Sequence, residues 1–149
     1  MSSDRVRSHS PGEANREIDR EAVRRISRYE GADGASLNER ISRLEGEWDI
    51  ERVLEANAAT LAFTGVTLGA LHHRRWLVLP AAVSAFLLQH AVQGWCPPVA
   101  VFRRLGIRTR REIEEERYAL KVMRGDFEDV ASADGSEDAD RIMAAVRRS

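Results

Sequence analysis

Charged and apolar side chains are segregated along this 149-residue chain. Across residues 53–92 the only Asp, Glu, Lys or Arg side chains are Glu55, Arg74 and Arg75. Segments with charges on one side and apolar residues at helical spacing precede and follow this block. The pattern predicts an all-α fold with two apolar helices at its centre and amphipathic helices on either side.

Uncharged runs cover residues 58–71 and 76–92. A hydrocarbon core of ~30 Å needs about 20 helical residues. The first run approaches that length only when counted from Val53, which leaves its polar residues near one end, where interfacial water reaches them. Trp76 and Trp95 flank the second run, as is typical of membrane interfaces. Both runs therefore predict transmembrane helices.

Only the sequence HHRR, residues 72–75, separates the two runs, and so short a link predicts an antiparallel helical hairpin. Small residues let helix backbones approach closely within lipid. They recur on one face of the first helix, which is the predicted helix-packing face: Ala58, Ala62, Gly65 and Gly69. The second helix is expected to meet that face with Ala81, Ser84, Ala85 and Leu88.

Arginines near the helix ends predict the orientation of the hairpin. The link contains Arg74 and Arg75, whereas the flanks contain eight arginines: Arg40, Arg43, Arg52, Arg103, Arg104, Arg108, Arg110 and Arg111. Short loops rich in Lys and Arg stay in the cytoplasm, so both termini are expected on the cytoplasmic side.

Five regions are expected along the chain. They are a disordered arm (1–14), amphipathic helices (15–48), the two-helix transmembrane hairpin (49–109), a further amphipathic helix (110–127), and an acidic tail with a short terminal helix (128–149). The second amphipathic helix is expected to open at Ser36, which has the capping-box spacing to Glu39.

Composition excludes several functions. The formal net charge is −1, which gives no global basic field for nucleic acid. The single cysteine excludes an internal disulfide, and no zinc-type Cys/His spacing is present. Neither a phosphate-binding loop nor a nucleophile elbow occurs, so we expect no catalytic residues, no metal, no cofactor and no enzymatic activity. The first residues lack the apolar run of a secretory signal, which predicts that the chain starts in the cytoplasm.

The stretch from about Asp49 to Thr109 resembles the YgaP-like transmembrane domain family. The residues that carry the resemblance are Glu51 and Arg52, Gly65 and Gly69, Gly94-Trp95-Cys96-Pro97, and Leu105-Gly106-Ile107-Arg108-Thr109. Members are small bacterial inner-membrane hairpins that occur alone or attached to rhodanese sulfurtransferase domains. The resemblance implies a bacterial inner-membrane location and a link to sulfur metabolism. No rhodanese active-site loop is present here.

Cys96 is the candidate reactive thiol. Pro97 and Pro98 are expected to end the second helix, which would place the thiol at a helix C-terminus, where the helix dipole disfavours a thiolate. If the helix persisted that far, Gln89, Gln93 and Cys96 would share a face with His90 beside it as candidate polar neighbours.

Three functions follow from these expectations. The first is a non-enzymatic membrane module that anchors or recruits a cytoplasmic protein partner through its amphipathic helices and forms a homo-oligomer in the lipid bilayer. The second is a sulfur carrier or transport element that uses Cys96. The third is a soluble helical scaffold with the two apolar runs as its core.

Overall fold

The computed structural model describes residues 4–128 and Val146. Every regular element in this part of the chain is a helix, which confirms the predicted all-α class. The α-helices are α1 (Arg5–Ser8), α2 (Gly12–Ser27), α3 (Gly34–Glu45), α4 (Ile50–Leu71), α5 (Val78–Gln93), α6 (Pro97–Arg104) and α7 (Arg110–Arg124), and a 3-10 turn (Arg74–Leu77) precedes α5.

The described residues form two compact units. The hairpin unit comprises residues 4–20 and 48–111, and the three-helix unit comprises residues 21–47 and 112–128. Helix α4, in the stretch Gly34–Leu71, and the stretch Arg74–Gln93 are long and apolar enough to cross a membrane. The two elements pack as the predicted hairpin.

Local chemistry fixes the ends of the hairpin helices. The Asp49 carboxylate accepts a hydrogen bond from the Arg52 backbone N–H at 2.8 Å and so caps the first turn of α4. Helix α5 ends where Gly94 adopts a left-handed conformation with φ 72°, which glycine tolerates without a steric penalty. The His73 side chain accepts from the Arg75 backbone N–H and starts the 3-10 turn, so the link is ordered by its own residues.

The small-residue face of α4 lies against α5. Ala58 and Gly65 are buried, and Ala62 and Gly69 are partly buried. A Cβ added at Gly65 would lie 2.5 Å from Pro80 Cδ and 3.3 Å from the Trp76 carbonyl oxygen. The absent side chain at Gly65 therefore permits the close approach of the two helices.

The partner face on α5 differs from the predicted one. Ala81, Ser84, Ala85 and Leu88 are exposed, whereas the less exposed positions of α5 are Leu79, Pro80, Val83, Leu87, Gln89 and His90. Small side chains alone therefore do not identify the contact face of α5. In the structure the larger side chains of α5 fill the space that the small residues of α4 leave.

We expect Gly65→Val to destabilise the hairpin, whereas Gly69→Ala leaves it unchanged or slightly more stable. Overpacking at Gly65 against a proline ring and a backbone carbonyl should cost about 1–3 kcal/mol. At Gly69 an added Cβ would lie 2.6 Å from Leu77 Cδ2 and 2.9 Å from Leu77 Cγ, so the half-exposed Leu77 side chain must rotate away. Helical Gly→Ala changes otherwise favour the helix by about 1 kcal/mol. Thermal unfolding of both variants in detergent, followed by circular dichroism, measures the difference. Equal melting temperatures would contradict the packing described here.

The amino-terminal arm, for which disorder is expected over residues 1–14, is described from Asp4 onward and contains α1 and the start of α2. Asp4 caps α1, α2 begins at Gly12, and Val6 is buried. Val6 belongs to a core cluster at the open end of the hairpin with Ile50, Leu54, Cys96 and Val99. One valine gives this polar arm an apolar anchor, and hydrogen bonds such as Arg103 Nη2 to Asn15 Oδ1 at 2.7 Å add to it.

The three-helix unit has its own apolar core. The buried side chains are Leu37, Ile41, Leu44, Ile113 and Leu120. Helix α3 begins at Gly34 with Asp33 as its N-cap, two residues before the start expected at Ser36. Helix α7 ends at Arg124, short of the expected residue 127. Most of the expected acidic tail, 128–149, lies outside the described residues.

Within the three-helix unit, Glu116 is buried among arginines. Its side chain is 1% exposed, and its two oxygens accept from Arg25 Nε at 3.0 Å and from Arg40 Nε at 3.0 Å. Both arginines are partly buried. The ion pairs join α2, α3 and α7, and therefore fix the mutual placement of the three helices.

Candidate functional site

A histidine–glutamate pair closes the open end of the hairpin. Glu51 lies in the first turn of α4, and His90 lies in the last turn of α5. Glu51 Oε2 and His90 Nε2 are 2.7 Å apart, which is a hydrogen bond between the two antiparallel helices. The hairpin fold thus brings together two side chains that are 39 residues apart in sequence.

His90 is held in a definite orientation. The residue is 8% exposed, and its Nδ1 is buried without a hydrogen-bond partner among the described residues. A buried N–H without an acceptor is costly, so we assign the ring proton to Nε2, which donates to Glu51. His90 therefore positions one carboxylate oxygen of Glu51 and leaves the other, Oε1, available.

A cleft of about 350 Å³ opens beside this pair. It is lined by Asp4, Arg5, Val6, Glu51, His90, Ala91 and Gly94. Its wall depends on Gly94, because a Cβ there would lie 2.5 Å from Arg5 Cβ. The start of α1 can pack on the end of α5 only because position 94 has no side chain.

The charged groups of the cleft differ in whether they already have hydrogen-bond or ion-pair partners. Asp4 is fully engaged, since Oδ1 accepts from the Arg7 backbone N–H at 3.0 Å and Oδ2 accepts from the Thr109 hydroxyl at 2.6 Å. The exposed Arg5 guanidinium makes no hydrogen bond or ion pair with the described part of the chain. Glu51 has a half-exposed carboxylate with Oε1 unpaired. The cleft thus offers one free cation and one free carboxylate oxygen.

Cys96 belongs to the apolar cluster that includes the cleft residue Val6, and its setting differs from the one predicted. Pro97 and Pro98 occupy the first turn of α6, and Cys96 is the N-cap of that helix rather than the C-terminal residue of α5. The sequence is ambiguous because proline both ends one helix and favours the first turn of the next. Cys96 is 2% exposed and packs in the apolar cluster with Ile50 and Val99.

Burial raises the pKa of the Cys96 thiol, and the nearby carboxylate of Glu51 raises it further, although the Val99 backbone N–H partly opposes the rise. The direction matches the prediction, but the cause is burial and a carboxylate rather than a helix C-terminus. A buried thiol of raised pKa is a poor nucleophile.

We expect Cys96 to react with a maleimide or with 5,5′-dithiobis(2-nitrobenzoate) at least about tenfold more slowly in the folded protein than in denaturant at the same pH. Because its pKa is raised, Cys96 in the folded protein has a smaller thiolate fraction than an ordinary cysteine at the same pH. The denatured sample provides the control for reagent quality. Equal rates in the two states would show that the thiol is accessible.

The other predicted neighbours of the thiol do not join it. Helix α5 ends at Gln93, so Cys96 is not on a helical face with Gln89 and Gln93, and neither glutamine lines the cleft. His90 does line it. The sequence did not indicate Asp4, Arg5 or Glu51 as cleft residues. Spacing gives no signal for the Glu51–His90 pair, because Glu51 lies 21 residues before the link and His90 lies 15 residues after it.

No cluster of three His, Cys, Asp or Glu side chains with metal-binding geometry occurs among residues 4–128. Comparison with known proteins yields no relative: no family model matches the chain, and neither a curated protein nor a solved structure is significantly similar to it. The functional interpretation therefore depends on the geometry of the hairpin unit and of the cleft.

Proposed function

We propose that the protein is a two-span membrane anchor, whose hairpin inserts into the bilayer and whose three-helix unit recruits a protein partner. One observation carries the membrane assignment: the apolar hairpin helices are mostly uncovered. Only 17% of the apolar window that includes α4, and 6% of the window that includes α5, is buried. Core helices of a soluble protein would be covered.

The exposed side chains are large and apolar. Phe63 is 75% exposed, Leu71 82%, Val78 70%, and Leu88 67%. Soluble monomers rarely expose contiguous apolar surface of this kind, whereas lipid favours it. This exposure supports the membrane anchor over the soluble scaffold.

Helix lengths also agree with a bilayer. The 22 residues of α4 extend about 33 Å at 1.5 Å per residue. The 16 residues of α5 and the four of the 3-10 turn together extend about 32 Å. Glu51 and His90 then lie at one membrane surface, and the link of residues 72–75 lies at the other.

The arginine distribution supports an orientation with both termini in the cytoplasm. The three-helix unit is formed from segments that precede and follow the hairpin, so it would be on the cytoplasmic side, where its charged surface can meet a partner. From the resemblance of residues 49–109 to the YgaP-like family alone, we also propose a bacterial inner membrane and a partner in sulfur metabolism. Since the small-residue face of α4 contacts α5 within one chain, a homo-oligomer would use the lipid-facing surface instead.

The sulfur-carrier alternative depends on Cys96. A carrier thiol must reach its donor and acceptor as a thiolate, whereas Cys96 is buried and its pKa is raised. These properties favour a packing role for the thiol and the anchor over the carrier.

Carbonate extraction of membranes from cells that express the full chain, with reporter fusions at each terminus, tests the proposal. We expect the protein to stay in the carbonate-washed pellet, with both reporters active on the cytoplasmic side. Recovery in the soluble fraction would contradict the anchor, and reporters on opposite sides would contradict the hairpin.

A further inference from the structure

The cleft at the open end of the hairpin has the chemistry of a binding site for a zwitterion. Its free groups are the Arg5 guanidinium and Glu51 Oε1, and its volume is about 350 Å³. Asp4 keeps its negative charge although neutral donors occupy both its oxygens, so the lining has two carboxylates and one guanidinium. An anion alone would meet these carboxylates, and a cation alone would leave Arg5 unpaired. A ligand that carries both charges satisfies both groups.

The position of the cleft relative to the bilayer restricts the class of ligand. Glu51 lies seven residues before Ala58, where the uncharged run of α4 begins, and His90 and Gly94 lie at the end of α5. If the hairpin spans the membrane as proposed above, the cleft is at the level of the lipid headgroups, outside the hydrocarbon core. Phospholipid headgroups at that level carry a phosphate, which Arg5 can bind.

The lining further selects the type of ammonium group. Quaternary ammonium groups are recognised by cages of Trp, Tyr or Phe rings. The residues that line this cleft include none of these rings, and they present a carboxylate oxygen that can accept a hydrogen bond. A primary ammonium donates hydrogen bonds, whereas a quaternary one has no N–H.

We propose that this cleft binds a phosphodiester that carries a primary ammonium group, as in the headgroup of phosphatidylethanolamine. Arg5 binds the phosphate, and Glu51 Oε1 accepts from the ammonium. The hydrogen bond of His90 occupies Glu51 Oε2 and leaves Oε1 for the ligand. The inference rests on the proposed membrane insertion for the source of the ligand, although not for the chemistry of the cleft.

Calorimetric titration of the detergent-solubilised full chain tests the site. The ligands are dihexanoyl-phosphatidylethanolamine, dihexanoyl-phosphatidylcholine and free glycerophosphoethanolamine. We expect the ethanolamine lipid to bind about tenfold or more tightly than the choline lipid. Binding of the lipid but not of the free headgroup identifies a membrane lipid as the source, and equal binding of both identifies a soluble compound of the same chemistry; either result supports the site.

Variants assign the contacts. Glu51→Gln should reduce ethanolamine-lipid affinity to that of the choline lipid, and Arg5→Gln should weaken both lipids. Glu55→Gln, an exposed carboxylate on the same helix that does not line the cleft, should change neither. Circular dichroism verifies that each variant is folded.

Equal affinity for the two lipids, no binding of either, or ethanolamine selectivity that survives Glu51→Gln would overturn the inference. Its failure is separable from failure of the membrane anchor. A carbonate-resistant protein without headgroup selectivity refutes only the cleft, and a selective protein that carbonate extracts refutes only the anchor.

Discussion

The double variant Phe63→Asp with Ala82→Asp should not insert into membranes. Both positions are exposed and lie near the middle of their helices, so each carboxylate would face hydrocarbon. An aspartate at the centre of a membrane helix costs about 2.5–3.5 kcal/mol, and two should cost about 5–7 kcal/mol. We expect the variant to move from the carbonate-resistant pellet to the soluble or degraded fraction.

Val23→Asp provides the matched control. Val23 is 63% exposed and lies in the three-helix unit, so the same charge there should leave insertion unchanged. The membrane anchor and the soluble scaffold predict different outcomes of this experiment. In a soluble scaffold, exposed Phe63 and Ala82 would tolerate aspartate as Val23 does. Equal fractionation of the unmodified protein, the double variant and Val23→Asp would therefore favour the scaffold.

Glu116→Ala should destabilise the three-helix unit by about 3 kcal/mol. The substitution removes the buried carboxylate that pairs with Arg25 and Arg40. Arg25 keeps its longer, 3.8 Å pair with Glu21, whereas the partly buried Arg40 loses its buried partner. The estimate is at the low end for buried ion pairs because both arginines retain some contact with water. Chemical denaturation of the solubilised full chain, followed by circular dichroism at 222 nm, measures the loss.

Glu39→Ala is the control for Glu116→Ala. Glu39 pairs with Arg43 on the same unit, but both side chains are about two-thirds exposed, and such surface pairs contribute at most about 1 kcal/mol. If the two variants were equally stable, the buried carboxylate would not be the element that fixes the three helices.

Features encoded over a few residues could be predicted from the sequence. The cap at Asp49, the short link and the small-residue face of α4 each depend on local spacing, and the structure shows the cap, the hairpin and a contact at Gly65. The predicted contact face of α5 was wrong, because the actual face depends on which α5 side chains fill the grooves of α4. Periodicity in α5 could not show this, since nearly every position in that run is apolar.

The candidate site was less accessible to sequence reasoning. Cys96 was placed at the wrong kind of helix end because Pro97-Pro98 fits both the end of one helix and the start of another. Helix α1 forms part of the cleft. Its placement depends on the buried side chain of Val6 and on Gly94, 88 residues later, where the absence of a Cβ lets the start of α1 approach the end of α5. Long-range contacts of this kind leave no periodic signal.

The side of the membrane on which the link, residues 72–75, lies distinguishes the transmembrane hairpin from a soluble scaffold. Two single-cysteine variants on a Cys96→Ala background, His72→Cys in the link and Glu128→Cys after α7, would be treated in intact cells with a membrane-impermeant maleimide. We expect His72→Cys to be labelled from outside and Glu128→Cys to be labelled only after the membrane is made permeable. Labelling of both cysteines only after permeabilisation, with the protein in the soluble fraction, would contradict the transmembrane hairpin.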